Sequence, residues 1–151
     1  MDKINNTNKM KRVYIDGVFD LFHRGHLESL IKAKNCLNDP ENTNLIVGVV
    51  GDEDATSYKR KPIVKEQDRR EIISSIKYVD KVICPCPLVV NMNFIKKNNI
   101  NLVVHGFVSE QDRNKQKDFY ETITKEGYFK EIEYYSKIST SDIIKNIKHN
   151  Y

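Results

Sequence analysis

The sequence predicts an α/β fold in which a parallel sheet of five strands carries helices on both faces. Short apolar runs alternate with stretches of helical spacing along nearly the whole chain, as in proteins built from strand–helix units. The first apolar run ends in Asp-Gly, which is typical of a buried strand that meets a turn. The 151 residues suffice for one domain with a core and are too few for two.

The first half of the chain supplies two strands and two helices. Residues 12–17, "RVYIDG", are a short apolar run and predict the first strand. Residues 26–37 place Leu, Ile and Ala side chains at helical spacing, which predicts the first helix. Residues 44–50, "NLIVGVV", predict the second strand, and residues 64–76 carry three isoleucines on one face of a second helix.

The second half continues the alternation. Residues 80–84 and 100–106 are apolar runs that predict the third and fourth strands, and residues 91–99 predict a short helix between them. Residues 116–127 predict a helix that Gly127 ends, because glycine commonly terminates helices.

The last two elements complete a Rossmann-like three-layer sandwich. Residues 128–135 predict the fifth strand, and residues 139–150 predict a final helix. This domain would occupy residues 11–151. Residues 1–10, "MDKINNTNKM", are polar, and we expect them to be disordered.

Composition places the chain among ordinary globular domains, with 39% hydrophobic and 30% charged residues. The net charge of +4 suits anionic substrates or an acidic membrane surface, and equally a merely solubilising role for lysine. The three cysteines indicate reduced thiols in a cytoplasmic protein, and the pair Cys84 and Cys86 is too small a set for a zinc site. Neither a membrane anchor nor a secretory signal is visible, and we expect no protein-bound metal.

Three of the four histidines fall where predicted strands end, which is where parallel sheets bind ligands. His23 and His26 follow the first strand, and His105 ends the fourth. A single histidine at a strand end is more often structural. Gly25 between the pair would let a phosphate approach the backbone at the helix N-terminus, and imidazoles there can donate hydrogen bonds to developing charge.

We call the strand-to-helix turn that carries His23, Gly25 and His26 the first corner. A second phosphate-binding corner is predicted near the end of the chain. Ser139, Thr140 and Ser141 precede a helix, either as ordinary N-cap residues or as hydroxyl donors to a ligand. Between the two corners, the "TSYKRKPIVKEQ" segment at 56–67 is expected to be a loop. Its Lys59–Lys61 run is either a solvated surface or the source of one cation that reaches the site.

Three motifs in this order resemble the cytidylyltransferase family over residues 12–148. They are G-x-F-D-x-x-H-x-G-H at 17–26, "KYVDKV" at 77–82 and "ISTSDII" at 138–144. "DLFHRGH" and "STSDII" look most similar to the choline-phosphate members. "IKYVD" and "VVHG" look more like the ethanolamine-phosphate members, and the glycerol-phosphate members are more distant.

The resemblance implies cytidylyl transfer from CTP to phosphocholine, with release of pyrophosphate, in phospholipid biosynthesis. It implies that His23, His26 and Lys59 are catalytic. It implies CTP contacts from these positions: Val18, Phe19, His26, Lys59, His105, Ile138, Ser139 and Thr140. It implies phosphocholine contacts from Asp16, Lys59 and Tyr120. It further implies Mg²⁺ bound with CTP and a homodimer, with neither a nucleic-acid partner nor a membrane-binding segment in this chain.

The chain departs from the family pattern at several positions. Gly106 and Phe107 replace acidic residues after the histidine, and Leu88 replaces a tryptophan of the choline pocket. An arginine is missing near Tyr134, where Lys137 is a partial substitute and Tyr134 or Tyr135 would complete an aromatic box. Three alternatives stay open: transfer to phosphoethanolamine, adenylyl transfer from ATP, and a nucleotide-binding relative with reduced activity.

Overall fold

The computed structural model describes residues 10–151, so the predicted disorder of residues 1–10 falls almost entirely outside the described residues. Its central sheet has five parallel strands in the order β3-β2-β1-β4-β5. The strands are β1 Lys11–Gly17, β2 Thr43–Val49, β3 Lys81–Ile83, β4 Leu102–His105 and β5 Phe129–Glu131.

Helices connect consecutive strands and cover the sheet. They are α1 Arg24–Asn35, α2 Asp52–Tyr58, α3 Glu66–Ser74, α4 Met92–Lys97, α5 Glu110–Gln116, α6 Glu121–Lys125 and α7 Thr140–Asn150. Two 3₁₀ turns, Pro40–Asn42 and Lys117–Phe119, precede β2 and α6. In the described part of the chain, no helix is both long enough and apolar enough to span a bilayer.

The core is split between the two faces of the sheet, because successive side chains of a strand point to opposite sides. Val13 and Ile15 of β1 pack on one face in a cluster with Leu30 of α1 and Ile73 of α3. Tyr14 belongs to the cluster on the other face, which includes Ile95 of α4 and Ile123 of α6. This arrangement confirms the predicted three-layer α/β sandwich.

Two helices were not predicted from the sequence. Residues 52–58 form α2, although part of this segment was expected to be a loop. Three acidic residues open α2 and stabilise its N-terminus, but it buries a single residue, Ala55, so the apolar period is too short to recognise. α5 likewise buries only Gln116, a polar residue.

Other predicted boundaries were wrong in extent. The helix expected over 116–127 is a 3₁₀ turn followed by the five residues of α6, with Gly127 just beyond its end at φ 82°. The fifth strand ends at Glu131 instead of continuing to Tyr135, because it pairs only with β4, which ends at His105. α1 begins at Arg24, two residues before the predicted start.

The strand order reverses between β1 and β4, which are neighbours in the sheet although β2 and β3 follow β1 along the chain. In open α/β sheets a crevice forms beyond the carboxyl ends of the strands at this position, and ligands bind there. The fold therefore brings Gly17 of β1 and His105 of β4 to the same crevice.

Candidate active site

A cavity of about 390 Å³ lies beyond the carboxyl ends of β1 and β4. We call it the large cavity. Its walls come from the loop after β1, the start of α1, the segment after α2, the end of β4, α5 and the start of α7. Eight of the predicted site residues line it: Asp16, Val18, Phe19, His26, Lys59, His105, Ser139 and Thr140.

The two histidines of the first corner cap α1. The Gly25 N–H donates to His23 Nδ1 at 2.9 Å, and the His23 N–H donates to His26 Nδ1 at 3.2 Å. Because both Nδ1 atoms accept, each neutral imidazole carries its proton on Nε2. The backbone N–H groups of His23 and Gly25 are therefore occupied by imidazoles, and the donor that His26 can offer a ligand is its Nε2–H.

Both imidazoles are held neutral by their surroundings. The rings of His23 and His26 stack with centroids 3.9 Å apart. Burial lowers the pKa of His26 to about 3, assisted by His23 and by the positive charge of Lys59, and burial also lowers the pKa of His23. A neutral imidazole in this position donates a hydrogen bond without itself titrating near neutral pH.

Gly25 is required by close packing against the second corner. A Cβ atom added there would lie 2.7 Å from the His23 ring and 3.2 Å from the Ile138 carbonyl oxygen. Any larger residue would displace the imidazole that caps the helix. The missing side chain at Gly25 therefore leaves room for the His23 ring at the helix cap. It also lets α1 lie close to the start of α7.

Thr140 joins the first and second corners. Its Oγ1 donates to the Asp20 carbonyl oxygen at 3.0 Å and lies 3.3 Å from His23 Nε2. With the proton on Nε2, His23 donates to Thr140, which donates onward to the backbone. Ser139 caps α7 by accepting the Asp142 N–H, as the ordinary cap interpretation predicted, and it also lines the large cavity.

Two residues of the first corner have left-handed backbone conformations that bulky side chains rarely adopt. Phe19 has φ 55° and Leu21 has φ 50°. Such residues cost on the order of 1 kcal/mol each and persist where the surrounding structure requires them. Asp20 lies between them, and its carboxylate accepts hydrogen bonds from the N–H groups of Ile63 and Val64 at 2.8 and 2.9 Å. These bonds hold the turn in this conformation.

A much smaller cavity of about 20 Å³ adjoins the large one. We call it the small chamber. It shares Asp16, Gly17, Lys59 and His105 with the large cavity, so the two spaces meet at these residues. The rest of its wall consists of Val50, Tyr58, Leu88, Gln116, Phe119 and Tyr120.

A buried polar cluster forms the floor of the small chamber. The Tyr120 hydroxyl donates to Asp16 Oδ1 and lies 3.0 Å from His105 Nδ1, which is 3.3 Å from the same carboxylate oxygen. Because the Tyr120 hydroxyl donates its hydrogen bond to Asp16, the Tyr120 oxygen accepts the hydrogen bond from His105, whose proton is on Nδ1. Burial and the negative charge of Asp16 raise the pKa of Tyr120 well above its usual value.

Lys59 lies at the junction of the two cavities. It follows the last residue of α2, where the negative end of the helix dipole favours a cation. Its ammonium is 4.0 Å from Asp112 Oδ1 on α5 and 5.7 Å from the Tyr58 ring centroid. Its side chain is 40% exposed, yet the surrounding protein partly desolvates the ammonium and so lowers the pKa of Lys59, and the Asp112 carboxylate opposes that shift.

The remaining predicted residues lie outside the large cavity. His23 contacts Thr140 and Gly25 instead of the cavity wall, Ile138 packs its carbonyl against Gly25, and Tyr120 lines only the small chamber. Tyr134, named as a possible ring of the aromatic box, lines the large cavity and does not line the small chamber.

The two tyrosines that would complete an aromatic box do not line the small chamber. Tyr135 lies under the Arg24 guanidinium at 5.5 Å, and neither it nor Tyr134 lines the chamber. Tyr58 and Phe119, whose rings meet edge to face at 5.2 Å, provide those walls. Lys137, the partial substitute for the missing arginine, is exposed and lines neither cavity.

Sequence reasoning missed Arg69, which holds three loops of the site together. Its fully buried guanidinium donates to the carbonyl oxygens of Val18, Val50 and Val64 and pairs with Asp52 at 2.6 Å. A charged residue inside a predicted amphipathic helix is normally assigned to the solvent side. Nothing in the local pattern of α3 indicates that this arginine is buried.

Sequence reasoning also missed Lys115 and Asp112, and it expected at most one cation from the Lys59–Lys61 run. Arg60 and Lys115 line the large cavity together with Lys59, and Asp112 lines it from α5. Ser109 caps α5 by accepting the Asp112 N–H, so the S-x-x-D spacing at 109–112 is a signal that could have marked this helix. It is inconspicuous because no apolar run follows it.

Comparison with known proteins identifies the family. A family model described as cytidylyltransferase-like matches residues 14–146. The chain belongs to the cytidylyltransferase-like family. This confirms the resemblance inferred from the three motifs and the assignment to the nucleotidyltransferases.

Named relatives of this cytidylyltransferase-like chain act on two amino-alcohol phosphates. It is 37% identical over 148 residues to choline-phosphate cytidylyltransferase 2 of Arabidopsis thaliana, covering 97% of this chain and 48% of that protein. It is 36% identical to choline-phosphate cytidylyltransferase A of Rattus norvegicus, covering 93% and 37%. It is 32% identical to a probable ethanolamine-phosphate cytidylyltransferase of Encephalitozoon cuniculi, covering 91% and 41%. The chain spans about half or less of the length of these relatives.

A solved structure supports the same fold. The lipopolysaccharide core biosynthesis protein from Thermoplasma volcanium GSS1 superposes with a TM-score of 0.64 at 27% identity. The match covers 83% of this chain and 98% of that one. The Rossmann-like architecture predicted from the sequence is therefore confirmed.

Proposed function

We propose that this domain transfers a cytidylyl group from CTP to phosphocholine, giving CDP-choline and pyrophosphate. The observation that carries the proposal is the meeting of two different cavities at Lys59. One is polar, has Lys59, Arg60 and Lys115 in its wall, and is large enough for a nucleotide. The other combines a buried carboxylate with aromatic rings. A cation at the junction can contact the phosphates of both substrates.

The large cavity suits CTP. Lys59, Arg60 and Lys115 supply positive charge, and the second corner supplies the hydroxyls of Ser139, Thr140 and Ser141. The Nε2–H of neutral His26 is a preorganised donor for the charge that grows on the α-phosphate during transfer. Val18 and Phe19 form the apolar part of the wall, beside the nucleoside.

Two carboxylates that line the large cavity are already engaged in hydrogen bonds within the protein. Asp16 and Asp20 accept hydrogen bonds from Tyr120 and from backbone N–H groups. Among residues 10–151, no three His, Cys, Asp or Glu side chains are grouped to hold a metal ion. Mg²⁺, which the family resemblance implies, would bind with CTP through the nucleotide phosphates, which suits its preference for phosphate and water ligands.

The small chamber suits a substituted ammonium. Asp16 supplies the negative charge, and the rings of Tyr58, Phe119 and Tyr120 supply faces for cation–π attraction. Tyr120 donates to Asp16 and thereby fixes the carboxylate. A quaternary ammonium has no N–H to donate, so a charge opposite aromatic faces is an appropriate way to bind it.

In the transfer step, a phosphate oxygen of phosphocholine attacks the α-phosphorus of CTP in line. The new P–O bond forms as the bond from the α-phosphorus to the bridging oxygen breaks, and that oxygen leaves with pyrophosphate. Both substrates are anionic, so catalysis consists of positioning and charge neutralisation. His26 and Lys59 perform these tasks directly, and His23 acts through the cap and through Thr140.

Phosphoethanolamine is the second candidate, and the volume of the small chamber favours it. The chamber volume of about 20 Å³ is only slightly more than a single water molecule needs. A trimethylammonium group is much larger than a water molecule. Binding of phosphocholine therefore requires the chamber to expand, whereas a primary ammonium fits with less adjustment. Leu88 borders this space, so its size bears on the choice.

We also propose that the domain assembles as a homodimer, as the family resemblance implies. Ile72, five residues before the "KYVDKV" segment in the chain, is 41% exposed, and Ile63 is 58% exposed. Sedimentation equilibrium over a range of protein concentrations measures the oligomeric state. A monomer at all concentrations would refute this proposal without affecting the proposed reaction.

A substrate panel tests the reaction. Pyrophosphate release is measured with CTP, ATP, GTP and UTP, each against phosphocholine, phosphoethanolamine and glycerol 3-phosphate. The proposal requires CTP and phosphocholine to give the highest kcat/KM. A preference for phosphoethanolamine would transfer the assignment to the second candidate. A preference for ATP, or no turnover with any pair, would overturn cytidylyl transfer.

A further inference from the structure

Asp112 lies in the first turn of α5, outside the three family motifs. Its side chain is only 10% exposed, and it lines the large cavity. It belongs to a segment that the sequence analysis did not recognise as helical. A nearly buried carboxylate beside a space that would receive polyphosphate is unfavourable for the ligand, so its presence requires an explanation.

The carboxylate of Asp112 is rigidly held by its own helix. Oδ2 accepts the Val108 N–H at 3.1 Å, and Oδ1 accepts Nε2 of Gln116 at 2.6 Å. The Asp112 N–H donates to Ser109 Oγ at 3.1 Å, which completes the cap of α5. These contacts come from α5 and the residues just before it, so the carboxylate is oriented before any ligand binds.

Lys59 has the opposite character. Its ammonium is carried on a flexible chain of four carbons, its side chain is 40% exposed, and it lies 4.0 Å from Asp112 Oδ1. A lysine that bridges two substrates must stay near the junction of the cavities and must be protonated. The fixed carboxylate of Asp112 attracts the ammonium and so keeps it near the junction. Its negative charge also favours the protonated form of the lysine.

Charged groups around Lys59 act in both directions. Burial, Arg60 and Lys115 lower its pKa, whereas Asp112 and Asp16 raise it. Asp16 is already engaged with Tyr120 and His105. Asp112 is the stronger of the two counter-charges for Lys59.

We infer that Asp112 is a positioning residue that holds the Lys59 ammonium at the junction of the two cavities. This inference rests on the proposed function, because it assigns Asp112 a role through Lys59. The Asp112 carboxylate would not contact CTP or the amino-alcohol phosphate itself. It would stabilise the charged, oriented form of the lysine that does.

The experiment compares Asp112→Asn, Asp112→Glu and Glu110→Gln in the full chain, with CTP and phosphocholine over a range of pH. Glu110 is on the same helix and pairs with Arg113 away from the cavity, so Glu110→Gln removes the same charge without touching Lys59. We expect Asp112→Asn to lower kcat/KM on the order of 10-fold. Asp112→Glu should restore much of the rate, and Glu110→Gln should match the wild type.

The pH profile separates positioning from a merely structural effect. Activity requires protonated Lys59 and falls as pH rises through its pKa. Removal of the Asp112 charge lowers that pKa, so the alkaline limb of the Asp112→Asn profile should move to lower pH. A loss of equal size at every pH would show that Asp112 only stabilises α5, and it would overturn the inference.

A double variant distinguishes failure of this inference from failure of the proposed function. The Lys59→Ala, Asp112→Asn protein should be no slower than Lys59→Ala alone, because Asp112 acts through the lysine. Additive losses would overturn the inference while leaving Lys59 in its catalytic role. Near wild-type activity of Lys59→Ala would instead refute the proposed role of Lys59, and the inference would fail with it.

Discussion

The large cavity and the small chamber are built in different ways. The large cavity collects donors and cations from segments distant in the chain, from His26 after β1 to Thr140 at the start of α7. The small chamber is a compact set of aromatic rings around the buried carboxylate of Asp16. Charge neutralisation for a polyphosphate can be distributed over many groups, whereas selection of one ammonium head depends on the shape of a few walls.

The comparison predicts the largest effect in the large cavity, at His26. His26→Asn retains an acceptor near the Nδ1 position that caps the helix, but it removes the Nε2–H. Loss of one preorganised donor typically costs about 10²- to 10³-fold, so kcat should fall on that order while thermal stability changes little. His26→Gln places an amide N–H nearer the Nε2 position and should retain more activity. Steady-state kinetics and thermal melting check both variants, and a nearly unaffected His26→Asn enzyme would contradict the assignment.

A second, smaller effect is expected where the two cavities meet. Lys59→Ala should reduce kcat/KM for both substrates about 10- to 100-fold, because a charge-assisted contact to each phosphate is lost. Lys61→Ala is the matched control, since Lys61 is exposed and lines neither cavity. Initial rates at varied CTP and varied phosphocholine measure both effects. Equal, mild losses in the two variants would mean that this run of cations is a solvated surface.

In the small chamber, Tyr58→Leu should act on one substrate only. A cation–π contact contributes about 0.5–2 kcal/mol, so the KM for phosphocholine should rise about 2- to 30-fold while that for CTP stays the same. Tyr135→Leu removes an aromatic ring that lies beside Arg24, outside the chamber, and should change neither constant. A matching rise in the KM for CTP would show that the two cavities are not separate binding sites.

The smallest expected effect is at the rim of the large cavity. Lys115→Ala should raise the KM for CTP about 2- to 5-fold, because an exposed cation contributes about 0.5–1 kcal/mol. The effect should diminish as salt is added, since exposed charges are screened. Lys117→Ala, two residues further on and away from the cavity, is the control. The same salt-independent change in both variants would argue against a contact between Lys115 and CTP.

The same division explains what could be predicted from the sequence. His23, His26, Ser139 and Thr140 stand in short motifs next to strand ends, so local patterns suffice to place them at one edge of the sheet. The sequence also predicted His105 at that edge. These residues lie where the chain turns, and turns have recognisable local chemistry.

The walls of the small chamber could not be predicted in this way. Tyr58, Leu88 and Phe119 come from three separate connections and meet only through the packing of the folded chain. The sequence instead suggests Tyr134 and Tyr135, as rings that would complete an aromatic box. Arg69 and Asp112 were missed for a related reason. The apolar patterns of α3 and α5 do not indicate that a polar side chain of either helix is buried.

The attachment of α7 has a consequence for how the site opens. Among its eleven described residues none is buried, yet its first turn provides the hydroxyls that face the large cavity. A helix with so little buried surface should detach at low free energy, whereas β1 and β2 at the centre of the sheet open only with the whole domain. Amide hydrogens of α7 should therefore exchange with deuterium much faster than those of β1. Saturating CTP should slow that exchange selectively, so that the nucleotide completes the structure to which it binds.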